Sequence, residues 1–117
     1  MKKHLAIGKI GEDLACKFLI NKGFNILYRN VSYKFSEIDI ICIMDINVHY
    51  IEVKTDSMSI IKSYENMTVN KTDKFHRISE FHFNKFYRDK GYRFHLGVVL
   101  VSLDLLKKES EIELILN

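Results

Sequence analysis

Nothing punctuates this chain. Its 117 residues contain no proline, no low-complexity tract and no internal repeat. No linker therefore divides it, and one domain spanning 1–117 is expected, long enough to bury a core. No apolar run approaches the roughly 18 residues of a membrane span. Met1-Lys2-Lys3 leads into Gly8, Lys9, Gly11 and Glu12 rather than into the apolar segment of a signal peptide. Cysteine is scarce. Cys16 and Cys42 lie apart without a paired-ligand spacing, so neither a disulfide nor a zinc framework is expected. Both should pack as small core hydrophobes in a reducing compartment. The histidines (His4, His49, His76, His82, His95) form no close-spaced ligand pair. A cytoplasmic protein with no membrane partner is the expectation.

What is present is ordinary in amount and local in placement. Hydrophobic residues make up 47% and charged residues 28%, as in a globular protein. The net charge of +3 is a weak pointer to an anionic partner. Between residues 70 and 93, however, seven cations (Lys71, Lys74, Arg77, Lys85, Arg88, Lys90, Arg93) face three anions (Asp73, Glu80, Asp89). The basic character belongs to that segment.

The chain is organised around residues 36–55, SEIDIICIMDINVHYIEVKT. Two β-type runs, 37–44 and 48–55, flank a turn at Asp45-Ile46-Asn47. Side chains on a strand alternate faces, so Glu37, Asp39, Ile41 and Ile43 should share one face of the first run. Ile38, Ile40, Cys42 and Met44 should take the other. On the second run, Tyr50, Glu52 and Lys54 should share a face opposite Ile51, Val53 and Thr55. Paired as a hairpin, the runs bring Asp39, Glu52 and Lys54 to one end. Two carboxylates and an ammonium on rigid strands suit a hard cation such as Mg²⁺, which takes oxygen ligands. Such an ion acidifies a bound water and neutralises charge on a phosphate. The plain alternative is a surface pair between Glu52 and Lys54, which contributes little.

Around this hairpin the pattern predicts a helix over about 4–22, with Ile7, Ile10, Leu14 and Phe18 inward and Ala15 and Leu19 widening the stripe. Gly23 is a natural stop. Gly8 and Gly11 each cost roughly 1 kcal/mol within a helix; with Ala15 they make a small-residue stripe for close packing or ligand approach. Glu12 lies beside it, and by position alone is a solvated helix carboxylate. A strand is expected over 24–31 and a long polar loop over 56–68. A second helix follows over about 70–90, stopped by Gly91, with Phe75, Ile78, Phe81 or His82, and Phe86 inward. Its aromatics suit a core at this spacing, with base stacking as the alternative; its cations suit a solvated face or an anion. Residues 96–103 read as a strand buried on both sides, and 111–116 as a terminal strand. The order is αβββαββ, an α/β fold with a mixed sheet.

Gly8-x-x-Gly11-Glu12-x-x-Ala15, Arg29-Asn30, Glu37-Ile38-Asp39 and Glu52-Val53-Lys54-Thr55 together resemble the YraN-like family of small bacterial proteins. That family is described as endonucleases of the PD-(D/E)XK, or restriction-endonuclease-like, superfamily, and the resemblance covers nearly all of the chain. The order of a Glu-bearing helix, an Asp and a Glu-x-Lys is also similar to archaeal Holliday-junction resolvases. The resemblance implies a restriction-endonuclease-like core, a mixed central sheet flanked by two helices, and one or two Mg²⁺ or Mn²⁺ ions. It assigns Asp39, Glu52 and the Val53 carbonyl as metal ligands and Lys54 as the residue that positions or activates water. Glu12 becomes a further ligand or water-orienting group, and Glu37 matches the family's Gly-Glu-Ile-Asp element. Lys74 and Arg77 resemble the basic positions opening the second helix; with Lys71 they would bind substrate. Three positions depart from the pattern: Ser36 replaces a glycine, Asp56 a basic residue, and Gly97 the carboxylate of Phe-Asp-Val-Val.

Two function classes follow. One is a metal-dependent nuclease acting on DNA, with branched or damaged DNA as candidate substrates. The other is a non-catalytic module of the same fold that binds nucleic acid or a protein. Nucleases of this size often pair as homodimers to cut two strands, although no heptad or other seam marks an interface here.

Overall fold

A computed structural model of the chain describes residues 2–34, 36–57 and 69–116, with side chains over 6–34, 36–57 and 73–116. The expected loop over 56–68 falls almost entirely outside the described residues. Helix α1 (Lys2–Asn21) leads into strands β1 (Asn25–Tyr33), β2 (Ser36–Met44) and β3 (Asn47–Asp56). Helix α2 (Val69–Phe86) precedes β4 (Arg93–Asp104) and β5 (Glu109–Leu116). The order is the expected αβββαββ. The strands form one five-stranded sheet in the order β1-β2-β3-β4-β5. All neighbouring pairs are antiparallel except β3–β4, which α2 connects as a parallel crossover.

Each face of the sheet buries its own apolar cluster. Ala15, Cys16 and Leu19 of α1 pack on Ile40, Cys42, Ile51 and Val99. Phe75 and Phe83 of α2 pack on Ile38, Ile41, Val48 and Tyr50. Both cysteines are free and buried, as small hydrophobes are. Ile10 is 43% exposed rather than inward; the helix's deep line runs through Ala15, Cys16 and Leu19. Helix α1 ends in a Schellman turn. The Gly23 N–H reaches the Ile20 carbonyl and the Phe24 N–H reaches the Leu19 carbonyl, both at 3.0 Å, with Gly23 at φ 101°.

Helix α2 departs from expectation twice. It stops at Phe86 rather than Lys90, because the Tyr87 and Arg88 N–H groups both turn back to the Phe83 carbonyl (2.8 and 3.0 Å). Asp89 then takes a left-handed φ of 63°. Its inner face is Phe75, Ser79, His82 and Phe83, whereas Phe81 and Phe86 are 53% and 45% exposed. With 3.6 residues per turn, position 81 falls off the line joining 75, 79, 82 and 83. His82 meets the fully buried Tyr50, whose hydroxyl lies 2.7 Å from His82 Nδ1. A buried phenol needs such a partner.

The two glycines of α1 behave differently. A Cβ on Gly11 would overlap the Thr55 side chain, with Cγ2 and Cβ at 2.6 and 2.7 Å, whereas one on Gly8 would meet nothing within 4 Å. Gly11 thus sets α1 directly on the end of β3. Gly8→Ala should raise stability by about 0.5–1 kcal/mol, the ordinary helix preference. Gly11→Ala should lower it by about 1–3 kcal/mol through overpacking. Chemical denaturation of both variants checks this, and equal shifts of one sign would refute the close-approach reading.

Candidate metal centre

The site forms where β2 and β3 part. Their ladder runs from Met44↔Asn47 to Ile40↔Ile51 and ends there, while β3 stays paired with β4 as far as Asp56↔Ser102. Beyond Ile51 the exposed edge of β3 needs an acceptor, and the Asp39 carboxylate supplies it: the Val53 N–H donates to Asp39 Oδ2 at 2.8 Å. The alternation of β2 breaks at the same residue. Ile38 packs with Ile41 on the α2 side, whereas Ile40 packs with Cys42 on the α1 side. The expectation that Ile38 and Ile40 share a face is therefore corrected. Strand β1 breaks in step. Arg29 pairs with Ile40, and Val31 pairs with Ile38; between them Asn30 sits at φ 53°, a region that asparagine tolerates.

This double break gathers carboxylates. Glu12 of α1 with Glu37 and Asp39 of β2 each offer an oxygen, and these oxygens lie within 4.8 Å of one another. Among the described residues this is the group of at least three such donors that could hold an ion. Arg29 steadies Glu12 from β1: its guanidinium is 3.5 Å from Glu12 and 2.8 Å from Asp13. Neither Arg29 nor Asn30 carried an assigned role from sequence; their adjacency within a β-forming run was the available signal.

Glu52 was expected to share the cation with Asp39. Its carboxylate is outside the triad, because β3 keeps its alternation and turns Glu52 toward the α2 side with Tyr50. Glu52 is 7% exposed and its Oε1 lies 3.9 Å from Lys54 Nζ. It still belongs to the same hollow. Asp39, Glu52, Val53, Lys54, Glu37 and Lys74 line a cleft of about 380 Å³, within the range of ligand pockets. A second hollow, of about 260 Å³, on the α1 side shares Asp39, Val53 and Lys54 and adds Gly8, Glu12 and Thr55. Asp39 and Lys54 thus stand between two hollows. Lys74 reaches the cleft wall and Arg77 lines a neighbouring groove. The Lys71 side chain lies outside the described residues.

Burial pushes the Asp39 carboxyl up to about 6, opposed by the Val53 hydrogen bond and reinforced by the negative charges of Glu12, Glu52 and Glu37. A donor set of crowded carboxylate oxygens suits a hard divalent cation. Oxygens on opposite sides of Mg²⁺ stand roughly 4.2 Å apart, and of Ca²⁺ roughly 4.8 Å, so the spread observed here fits with small side-chain adjustment. Gly97 reads structurally. A Cβ there would press on Ile51 Cδ1 at 2.8 Å and Leu116 Cδ2 at 2.9 Å, so a carboxylate at this position would displace core neighbours.

The raised value gives stability a definite pH dependence. Between the ordinary 3.8 and about 6, the folded chain holds the Asp39 proton more tightly than the unfolded chain. Stability therefore falls as pH rises through that window and stays lower above it. Asp39→Asn keeps an acceptor for Val53 and removes the titration. It should flatten the curve across the window and raise stability at neutral pH by up to about 3 kcal/mol. Denaturation midpoints across the window, without divalent ions, check this; parallel curves for parent and variant would refute it.

Residues 11–101 match the family described as "Uncharacterised protein family UPF0102". The chain is 38% identical over 94 residues to a UPF0102 protein of Campylobacter fetus, covering 78% of this chain and 80% of that one. It is 35% identical over 98 residues to a UPF0102 protein of Dictyoglomus turgidum, covering 82% and 83%. A stretch of 47 residues is 60% identical to a UPF0102 protein of Campylobacter jejuni, covering 40% and 42%. With matches of this extent in both the family and its members, the chain belongs to the UPF0102, or YraN-like, family.

Proposed function

We propose that this protein is a divalent-metal-dependent nuclease of the PD-(D/E)XK type that hydrolyses DNA phosphodiester bonds. One observation carries the reading: Glu12, Glu37 and Asp39 bring oxygens within 4.8 Å of one another beside a lysine-walled cleft. Glu12, Glu37 and Asp39 would hold Mg²⁺ or Mn²⁺, with the Val53 carbonyl and Glu52 as further donors. Such an ion, when bound, supplies an acidified water and neutralises charge on the phosphate.

The chain's own residues do the rest. The Val53–Asp39 hydrogen bond fixes one carboxylate oxygen and leaves the other for the ligand set. Arg29 holds Glu12 at the edge of the triad. Lys54, between the two hollows, orients the attacking water or a phosphate oxygen. Lys74, across the cleft, holds the phosphate. Hydrolysis adds water across a P–O bond, leaving one strand end as a phosphate monoester and the other as a hydroxyl. Positioning and charge stabilisation supply most of the acceleration in reactions of this kind.

Mn²⁺ at a hundred times its dissociation constant should stabilise the parent by about 2.7 kcal/mol. Asp39→Asn should lose this shift together with cleavage of labelled DNA. Lys54→Ala should keep the shift and lose at least about a hundred-fold in turnover, the lower range for a positioned acid–base group. A non-catalytic module of the same fold would show DNA binding with neither a metal-dependent melting shift nor cleavage. A parent chain with neither effect would sink the enzyme reading.

The cleft wall gives a second check. Lys74→Ala combined with Arg77→Ala should weaken duplex binding and reduce the log–log salt slope by about 0.9 for each phosphate no longer neutralised. Anisotropy titrations at several salt concentrations measure the slope, and an unchanged slope would mean that these cations only face solvent.

A further inference from the structure

Helix α2 exposes one aromatic ring next to the cleft. Phe81 is 53% exposed because it lies off the helix's buried line. Tyr33 of β1 meets it edge-on, with ring centroids 5.7 Å apart and planes at 88°. An edge-on neighbour fixes a ring's orientation without covering both faces. Around Phe81 lies a groove whose surface is almost wholly apolar, formed with Ile78 and edged by Ser36, Lys74 and Arg77. Ser36 and Lys74 also line the carboxylate cleft. The two hollows are therefore neighbours that share a wall. One is lined by carboxylates, and the other has an aromatic floor with two cations on its rim.

We infer that this groove binds an unpaired nucleotide of the DNA strand entering the cleft, with its base stacked on Phe81 and its phosphate between Lys74 and Arg77. The inference rests on the nuclease reading for its choice of DNA and names the substrate class: strands with an unpaired segment beside the cut.

The chemistry selects this occupant. An apolar floor beside cations matches a ligand with a flat π-face and an anionic backbone, and single-strand sites combine aromatic platforms with a basic track in this way. A base within a duplex has both faces covered by its neighbours, so only an unpaired one can lie on the ring. Arg77 is held by Asp73 at 3.8 Å, with both side chains mostly exposed. A helix-surface pair of that kind is worth little, so the guanidinium exchanges readily to a phosphate. Tyr33 pairs with Ser36 at the end of the β1–β2 ladder, which fixes the ring's support to the strand that carries Asp39.

The test is binding in EDTA, where cleavage does not intervene. Labelled oligo(dT) and a duplex of equal length are titrated with the parent, Phe81→Ala and Phe81→Trp. Phe81→Ala should weaken oligo(dT) binding by about ten-fold and leave duplex binding within about two-fold, while Phe81→Trp should retain strand binding. An oligonucleotide bearing 5-iodouracil should photocross-link to the peptide carrying position 81, and Phe81→Ala should abolish that adduct. Melting curves show whether each variant is folded; Phe81→Trp keeps the comparison valid if Phe81→Ala unfolds. Equal losses on strand and duplex, no loss on the strand, or a parent chain that fails to bind oligo(dT) would each overturn the inference. Phe81-dependent strand binding in a chain that never cleaves would instead remove the nuclease reading and leave the platform standing.

Discussion

The hydrogen bond from the Val53 N–H to the Asp39 carboxylate, 2.8 Å long, ends one ladder and begins the site. An antiparallel pair that continued past Ile40↔Ile51 would have closed the gap in which the carboxylates meet. Instead a side chain takes the place of a strand, and a backbone donor that would otherwise stand unsatisfied is paired. Strand β3 is not loosened by this, because β4 holds its other edge to Asp56↔Ser102. The opening is therefore one-sided and rigid. Its electrostatic cost is visible at Asp39, whose carboxyl burial and neighbouring carboxylates push up to about 6.

The two helices divide the work at that opening. Gly11 lets α1 lie directly against Thr55, which brings Glu12, one residue on, to the triad. On the other face, α2 meets the sheet through Phe75, Ser79, His82 and Phe83, and its Lys74 and Phe75 line the cleft. Helix α1 thus contributes an anion to the opening, and α2 contributes a cation to its wall.

Much of this was legible in sequence. The element order follows from the period-two runs at 37–44 and 48–55, the helical stripes and the continuous apolar run at 96–103. The gathering of charge at the hairpin end follows from the positions of Asp39, Glu52 and Lys54. Glu12, which the family resemblance gave as a further ligand, and Glu37, on Asp39's strand face by alternation, both meet Asp39; what escaped was that Glu52 stands outside the group. Strict alternation makes Asp39 and Glu52 the natural pair, but the face switch at Asp39, matched by Asn30 at φ 53°, draws Asp39 toward Glu12 and Glu37. A single left-handed residue leaves almost no trace in hydrophobic periodicity, and asparagine occupies turns as readily as strand breaks. At Phe81 and His82 the sequence left the inward position open, and only the exact phase of the helix buries His82 and turns Phe81 outward.

The neighbours of the triad show why its charge stays concentrated. Arg29 approaches Glu12 to 3.5 Å, yet it lies closer to Asp13, at 2.8 Å. That pairing holds the Asp13 carboxyl below its usual range, so much of the guanidinium's hydrogen bonding is spent outside the site. Lys54 lies near Glu52, with 3.9 Å between Nζ and Oε1, on the α2 side of the strand. Arg29 and Lys54 thus each have a carboxylate beside them at the margin, while Glu12, Glu37 and Asp39 crowd together at the centre. Like charges at this separation in a half-buried hollow repel strongly unless a proton or a cation intervenes. The Asp39 carboxyl, raised mainly by burial and further by these neighbours, takes the first form of relief. A divalent ion, as in the proposed function, would give the second without protonating a carboxylate.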